Sequence, residues 1–187
     1  MRLFVAINLS PDIRRGVLDA TAPLRERAPE LSWVSEPRLH LTLKFLGEQP
    51  DDRLGEIKDV LASVAGRHRE LVMNIGGIGA FPNFRRARVV WIGIAQDPRL
   101  ELLHHDVEIA CESIGFEVEG RPFRPHLTLA RVKTPLSDEK GRELSRLAKR
   151  TDYQSDCIVR SVDLMRSDLS PQGSTYTTLV SAALRTG

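Results

Sequence analysis

The hexapeptide RLHLTL, which begins at Arg38, returns at Arg124 as RPHLTL with only its second letter changed. The two histidines, His40 and His126, are 86 residues apart. A helix-start pair begins 11 residues after each histidine, Asp51-Asp52 in the first half and Ser137-Asp138 in the second, and strand-like segments begin 31 residues after each. A register of motif, helix and strand that is shared by both copies predicts an internal duplication.

Apolar patterning indicates strands and helices in alternation through both halves. Strand-like runs are LFVAINL, SWV, RLHLTLKFLG, ELVMNIGGIGAF, ARVVWIGI, RPHLTLAR, CIVRSVDLM and STYTTLVSAAL. Helical segments are predicted after Ser10-Pro11, Asp51-Asp52, Asp97-Pro98 and Ser137-Asp138. We therefore expect one α+β domain over residues 1–187, with two similar lobes related by a pseudo-two-fold axis. Each lobe would be a mostly antiparallel sheet with helices on its outer face and a cleft between the sheets.

The composition indicates an ordinary globular protein. Apolar residues make up 41% of 187 residues, enough to bury a core, and the net charge of +2 excludes a histone-like polycation. Of 27 basic residues, 22 are Arg, whose guanidinium suits phosphate, although a general arginine bias would give the same count. Cys111 and Cys157 lack a metal or redox spacing, and no apolar run suits a signal peptide or membrane span. These features predict a reduced, cytoplasmic protein without a membrane anchor, which we expect to be monomeric.

Strand alternation places the polar residues of each motif on one face. In RLHLTL, Arg38, His40 and Thr42 would point one way and the leucines the other, and the same holds for Arg124, His126 and Thr128. A pseudo-two-fold relation would let the two polar faces line one cleft.

Two histidines across a cleft can divide a proton-transfer reaction on a phosphodiester. One removes a proton from the attacking water, and the other delivers a proton to the departing oxygen. Thr hydroxyls and Arg guanidiniums can bind the phosphate oxygens, so the scheme needs no metal and no cofactor. The alternatives are a half-buried structural His, Thr as a strand former and solvated Arg. The doubled motif favours catalysis for the two histidines, whereas Arg38 and Arg124 stay open between substrate binding and a solvated surface.

The same residues resemble a known family. HLTLKFLGE and RPHLTLAR look like the paired His-x-Thr-x signatures of the two-histidine phosphoesterase superfamily, and within it of the bacterial and archaeal RNA 2′,3′-cyclic phosphodiesterases, also called 2′-5′ RNA ligases. The resemblance runs nearly end to end, through RLFVAINL, FPNFRRARVVWIGI and STYTTLVSAAL. It implies the bilobal α+β fold and hydrolysis of RNA-terminal 2′,3′-cyclic phosphate to a 2′-phosphomonoester.

Roles for individual residues come from this resemblance. It implies that His40 is the general acid, that His126 is the general base, and that Thr42 and Thr128 bind phosphate. The motifs themselves are symmetric and do not distinguish acid from base.

Further substrate-binding candidates surround the motifs. They are Arg38, Arg124, Arg131, Lys44, Phe84 and Arg88. Strict alternation gives Lys44 the same face as His40 but turns Arg131 away from His126, unless a bulge intervenes. Phe84, in the PNFRR loop, could stack on RNA, whereas we interpret Phe81, Trp33 and Trp91 as core residues. His104 and His105 are interpreted as surface residues or a helix-packing pair, and His68 is interpreted as solvated.

The expected partners are RNA ends that carry a 2′,3′-cyclic phosphate, tRNA fragments among them, and weak reverse 2′-5′ ligation is expected as a side reaction. Two other functions stay open: a cyclic phosphodiesterase for small nucleotides, and a non-catalytic RNA- or nucleotide-binding module. Two titrating groups argue against the non-catalytic module, because binding phosphate does not need them.

Overall fold

The computed structural model describes residues 1–171 and 173–187 and contains nine strands and four α-helices within them. The strands are β1 (Arg2–Asn8), β2 (Ser32–Trp33), β3 (His40–Glu48), β4 (Leu71–Phe81), β5 (Val89–Ile94), β6 (His126–Arg131), β7 (Gln154–Val159), β8 (Ser161–Ser170) and β9 (Gly173–Ala183). The helices are α1 (Pro11–Arg27), α2 (Leu54–Ala65), α3 (Pro98–Glu112) and α4 (Asp138–Arg150).

Helix starts follow the local signals in the sequence, with one exception. The side chain of Asp97 accepts a hydrogen bond from Arg99 N at the start of α3, and Ser137 does the same for Lys140 N at α4. The Asp51-Asp52 pair does not cap α2 directly, because residues Asp51–Arg53 form a short 3-10 turn that precedes it.

Two antiparallel sheets confirm the predicted fold class. Sheet A has the order β3-β1-β8-β9, and sheet B has the order β2-β6-β5-β4-β7. Helices α2 and α3 pack together and contact β8, β9 and β3, whereas α1 packs on α4 and α4 contacts β4. Among the described residues, no helix combines the length and hydropathy that a membrane span requires.

The two halves of the chain exchange strands between the sheets. Strands β4 and β5 of the first half join the second motif strand β6, and β8 and β9 of the second half join the first motif strand β3. The segment CIVRSVDLM, predicted as one strand, is broken at Arg160, so that β7 lies in sheet B and β8 in sheet A. Beside the motif strand, sheet A has the order β1-β8-β9 and sheet B the order β5-β4-β7, and sheet B also has β2 on the other side of β6. The internal duplication stays a prediction.

Both sheets turn their branched apolar residues into a continuous core. Leu41, Leu127, Val5 and Ile92 are each at most 2% exposed and belong to it. A separate small cluster of Phe4, Ala6 and Met165, with Tyr176 against it, lies apart from this core. Sheet A therefore carries apolar residues on both faces, and the second face is the one that bears His40.

Candidate active site at the paired motif strands

Side-chain alternation in both motif strands agrees with the prediction. The leucines at positions 39, 41, 127 and 129 are buried, whereas His40, Thr42, His126 and Thr128 are partly exposed. Strands β3 and β6, which belong to different sheets, pack against each other. The two motifs therefore meet where the sheets meet, with their polar residues off the core.

Both histidine rings are held by the same backbone contact. His40 Nδ1 lies 2.7 Å from the carbonyl oxygen of Arg38, and His126 Nδ1 lies 2.7 Å from that of Arg124. A carbonyl only accepts, so Nδ1 carries the proton in each neutral ring. The lone pair is thus left on Nε2 of both histidines, the nitrogen available for proton transfer.

The surroundings of His40 are apolar and cationic. Its ring lies 5.0 Å from that of Phe4 and 5.3 Å from that of Tyr176, and the hydroxyl of Thr42 donates to Nε2 at 3.0 Å. The pKa of His40 is lowered to about 4, chiefly because burial penalises the charged ring and also because Arg14 and Arg38 repel a further positive charge. His40 is neutral in the free protein at pH 7.

An aromatic pair lies beside His126. The ring of Phe81 meets that of His126 edge-on at 5.0 Å and contacts Trp91 at 5.1 Å. Trp91 is the cross-strand partner of Thr128 and lies over Gly79, where a Cβ would come within 2.4 Å of the indole. The interpretation of Phe81 and Trp91 as core residues is wrong, because both lie on the face that bears His126.

Phe84, the residue that could stack on RNA, lies apart from the motif histidines. It begins a short 3-10 helix, Phe84–Arg86, and its side chain packs against the hydrophobic core. The carbonyl of Phe84 is so close to Gly141 of α4 that a Cβ there would lie 2.7 Å from it. Phe81, and not Phe84, is the aromatic residue of this loop that contacts a motif histidine.

Each motif strand carries a β-bulge one residue after its Thr. Cross-strand pairing skips Leu43 between β3 and β1, and it skips Leu129 between β6 and β5. Because a bulge adds one residue to a strand, it shifts the alternation of the residues beyond it, in β3 as far as a second irregularity at Leu46. Those residues therefore face opposite to the side that strict alternation predicts.

Lys44 is turned into the core by this bulge. Its Nζ lies 2.6 Å from a carboxylate oxygen of Glu108 and 2.7 Å from the carbonyl of Glu117, and both side chains of the ion pair are 5% exposed. The expectation that Lys44 shares a face with His40 is wrong. Ala130, its counterpart in β6, is buried as well.

Arg131 is brought to the site face by the bulge in β6. Phe81, Val89 and Arg131 are successive cross-strand partners, so their side chains share one face of sheet B. Phe81 contacts His126 on that face. Arg88, which is exposed, lies at the same end of the sheet, where its carbonyl accepts from Val132 N. Both arginines stay candidates for binding the substrate.

Arg38 and Arg124 differ in their surroundings although their motifs match. The guanidinium of Arg38 lies 5.3 Å from the centre of the Tyr176 ring, which itself contacts His40. Arg124 is exposed, and its carbonyl holds His126. Of these two motif arginines, Arg38 is the one whose guanidinium lies beside a ring that contacts a motif histidine.

Four residues near His40 were not found by the sequence reasoning. Asn8 is its cross-strand partner, Phe4 and Tyr176 contact its ring, and Arg14 acts on its charge. Alternation in β1 could have placed Phe4 and Asn8 on one face. No sequence signal connects Arg14 or Tyr176 with the motif, because these contacts join distant segments.

Comparisons with known proteins agree with the resemblance that the two motifs show. The family model of the 2′-5′ RNA ligase superfamily matches residues 13–171. An RNA 2′,3′-cyclic phosphodiesterase of Methanothermobacter thermautotrophicus is 32% identical over 177 residues, 95% of each chain. The crystal structure of TT0787 of Thermus thermophilus superimposes with a TM-score of 0.82 at 29% identity, over 100% of this chain and 99% of that one. Escherichia coli LigT complexed with 3′-AMP superimposes with a TM-score of 0.70 at 27% identity, over 98% and 97%. The chain belongs to the 2′-5′ RNA ligase superfamily, as its two motifs indicated.

Proposed function

We propose that this chain hydrolyses RNA-terminal 2′,3′-cyclic phosphate to a 2′-phosphomonoester by metal-independent acid-base catalysis with His40 and His126. That it is a cyclic phosphodiesterase rests on its relatives. The observation that carries the mechanism is the matched anchoring of both rings through Nδ1, which leaves the lone pair on Nε2 of each histidine on two adjoining strands. In the free protein, Nε2 of His40 accepts from the hydroxyl of Thr42.

The reaction balances with two proton transfers. His126 Nε2 takes a proton from water as the water oxygen attacks phosphorus. The bond from phosphorus to the 3′ oxygen breaks, and that oxygen takes a proton from Nε2 of protonated His40. Thr42 and Thr128 donate hydrogen bonds to the non-bridging oxygens and stabilise the charge that develops there. The assignment of acid and base follows the family resemblance, because both rings have the same tautomer.

The acid role of His40 requires a proton that the free protein lacks at pH 7. A bound phosphodiester brings a negative charge to a ring beside Arg14 and Arg38, and an opposite charge within a few ångströms favours the protonated form. Protonation of His40 would therefore accompany substrate binding. The reverse reaction follows the same path, with a 5′-hydroxyl RNA end in place of water, and it would yield a 2′-5′ linkage.

RNA ends, tRNA fragments among them, are the proposed substrates, and the chain is proposed to act as a monomer in the cytoplasm. Cys111 and Cys157 are both buried free cysteines, so no disulfide joins them. Light scattering coupled to size-exclusion chromatography tests the monomer, since a dimer would double the measured mass.

The test is incubation with an RNA oligomer that ends in 2′,3′-cyclic phosphate, beside a nucleoside 2′,3′-cyclic phosphate as the small-substrate control. Nuclear magnetic resonance of ³¹P identifies the hydroxyl that keeps the phosphate. The proposal expects 2′-phosphate and faster turnover of the oligomer. Equal turnover of both would favour a small-nucleotide enzyme, and binding without turnover of either would favour a non-catalytic module.

Activity is expected to persist in excess chelator and to follow a bell-shaped pH profile. One histidine must be neutral while the other is protonated, so that activity falls on both sides of an optimum. Neither motif contains a carboxylate to hold Mg²⁺, and the described residues contain no group of three His, Cys, Asp or Glu side chains suited to a metal. The measurement is kcat/KM against pH, with and without chelator. Loss of turnover on chelation, restored by one divalent metal, would contradict the acid-base mechanism.

Arg38→Lys is expected to raise KM more than Arg124→Lys does. Arg38 lies over Tyr176 beside His40, whereas Arg124 is exposed and contributes its carbonyl, which the substitution leaves intact. Lysine cannot reproduce the planar fork of Arg38 or its stacking. Steady-state kinetics of both variants measures the difference, and urea unfolding checks that stability is unchanged. If both variants and the parent have equal KM values, Arg38 is a surface residue that does not bind the substrate.

A further inference from the structure

Arg14 presents a partly buried guanidinium on the His40 side of the site. It lies in the first turns of α1, and its Nη2 lies 3.4 Å from Oδ1 of Asn8, the cross-strand partner of His40. Its Nε is buried without an acceptor among the described residues. Glu36 is the acidic residue whose charge reaches it, but the two form no ion pair in the described part of the chain.

A hydrogen-bonded chain holds Asn8 toward Arg14. The Nδ2 of Asn8 donates to one carboxylate oxygen of Asp163 at 2.7 Å, and Ser161 donates to the other at 2.8 Å. Asp163 is 3% exposed, and each of its two carboxylate oxygens accepts a hydrogen bond from one of these donors. The Asn8 amide is thereby oriented with its oxygen toward Arg14. The guanidinium is positioned, but it is not neutralised.

Such an arrangement is costly unless an anion completes it. Burial lowers the pKa of Arg14, which shows that the surroundings disfavour its charge. A cation removed from water without a counterion is destabilising, and a phosphate oxygen is the acceptor that a guanidinium fork fits best. Arg38 supplies a second guanidinium beside His40, over the ring of Tyr176.

We propose that Arg14 is a phosphate-binding residue which, with Arg38, forms a cationic subsite beside His40 for the non-bridging oxygens of the cyclic phosphate and of the 2′-phosphomonoester product. This inference rests on the proposed function for the identity of the phosphate. It goes beyond the two motifs, because it assigns substrate binding to a helix that neither motif contains.

The subsite would couple phosphate binding to the proton on His40. The groups that face this ring are Arg38 before β3, Thr42 on β3, Arg14 on α1, Phe4 and Asn8 on β1, and Tyr176 on β9. Of these only Arg14 and Arg38 carry a charge, and both oppose protonation; Asp163 and Glu36 act through Asn8 and Arg14. A bound phosphate would cancel that opposition.

The test follows the His40 ring by nuclear magnetic resonance during pH titration, with inorganic phosphate as the probe. In the parent protein, phosphate is expected to raise the titration midpoint of His40 by about one unit. Arg14→Gln is expected to raise the midpoint without phosphate, and to weaken phosphate binding about tenfold. Arg15→Gln is the matched control, because Arg15 is exposed on the same helix and pairs with Asp12.

Each outcome separates the inference from the proposed function. If phosphate leaves His40 unchanged in the parent protein, or if Arg14→Gln binds phosphate as the parent does, the subsite is wrong whether or not the chain hydrolyses RNA. If the parent fails to hydrolyse cyclic phosphate but its His40 responds to phosphate through Arg14, the subsite stands and the proposed reaction fails. Arg14→Lys, which keeps the charge, is expected to retain part of the response, so it tests the subsite even if Arg14→Gln unfolds.

Discussion

His40→Ala and His126→Ala are each expected to lower kcat/KM for the RNA cyclic phosphate by roughly 10²-fold or more, because each removes one of the two proton transfers. Both side chains are partly exposed and lie off the core, so the fold is expected to survive. The measurement is steady-state kinetics on the oligomer substrate. Thermal unfolding of each variant shows whether the loss is chemical.

His105→Ala is the matched control for this pair. The side chain of His105 is exposed on α3, so its replacement should leave kcat/KM unchanged. Near-normal turnover by either motif variant would rule out the two-histidine mechanism. If only one variant loses activity, only that histidine transfers a proton, and the other one binds phosphate.

Lys44→Ala is expected to destabilise the protein by about 3–5 kcal/mol, because it strands the charge of Glu108 in the core. Both side chains are 5% exposed, and Lys44 also donates to the carbonyl of Glu117. The measurement is the free energy of unfolding in urea. Lys149→Ala, which removes an exposed lysine from the end of α4, is the control and should change stability by less than about 0.5 kcal/mol.

A double variant shows whether the charge is the cause. Lys44→Met with Glu108→Leu removes both charges and retains apolar volume, so it should recover most of the lost stability. If Lys44→Ala costs less than about 1 kcal/mol, the pair is not the buried ion pair of the structure. A wild-type kcat with reduced stability would agree with the placement of Lys44 in the core, away from the site.

Strand pairing decides on which face of sheet B the side chains of Phe81 and Trp91 lie. Trp91 and Phe81 occur in strand-like runs whose apolar residues suggest a core from sequence alone. Pairing with Thr128 and Val89 decides their faces, and the glycines beneath Trp91 leave room for the indole. Strand pairing joins residues that are distant along the chain, so a local pattern does not contain this information.

The sequence by itself determined the α+β class, most helix starts and the outward face of both histidines, because each depends on periodicity or capping within a few residues. Tertiary structure decided the rest. The matching bulges at Leu43 and Leu129 send Lys44 inward and Arg131 outward, and only the cross-strand register reveals a bulge. The exchange of strands between sheets brings Tyr176 to His40, and the packing of α1 brings Arg14 there. These contacts join segments far apart in the chain, where burial and charge depend on neighbours that no local pattern specifies.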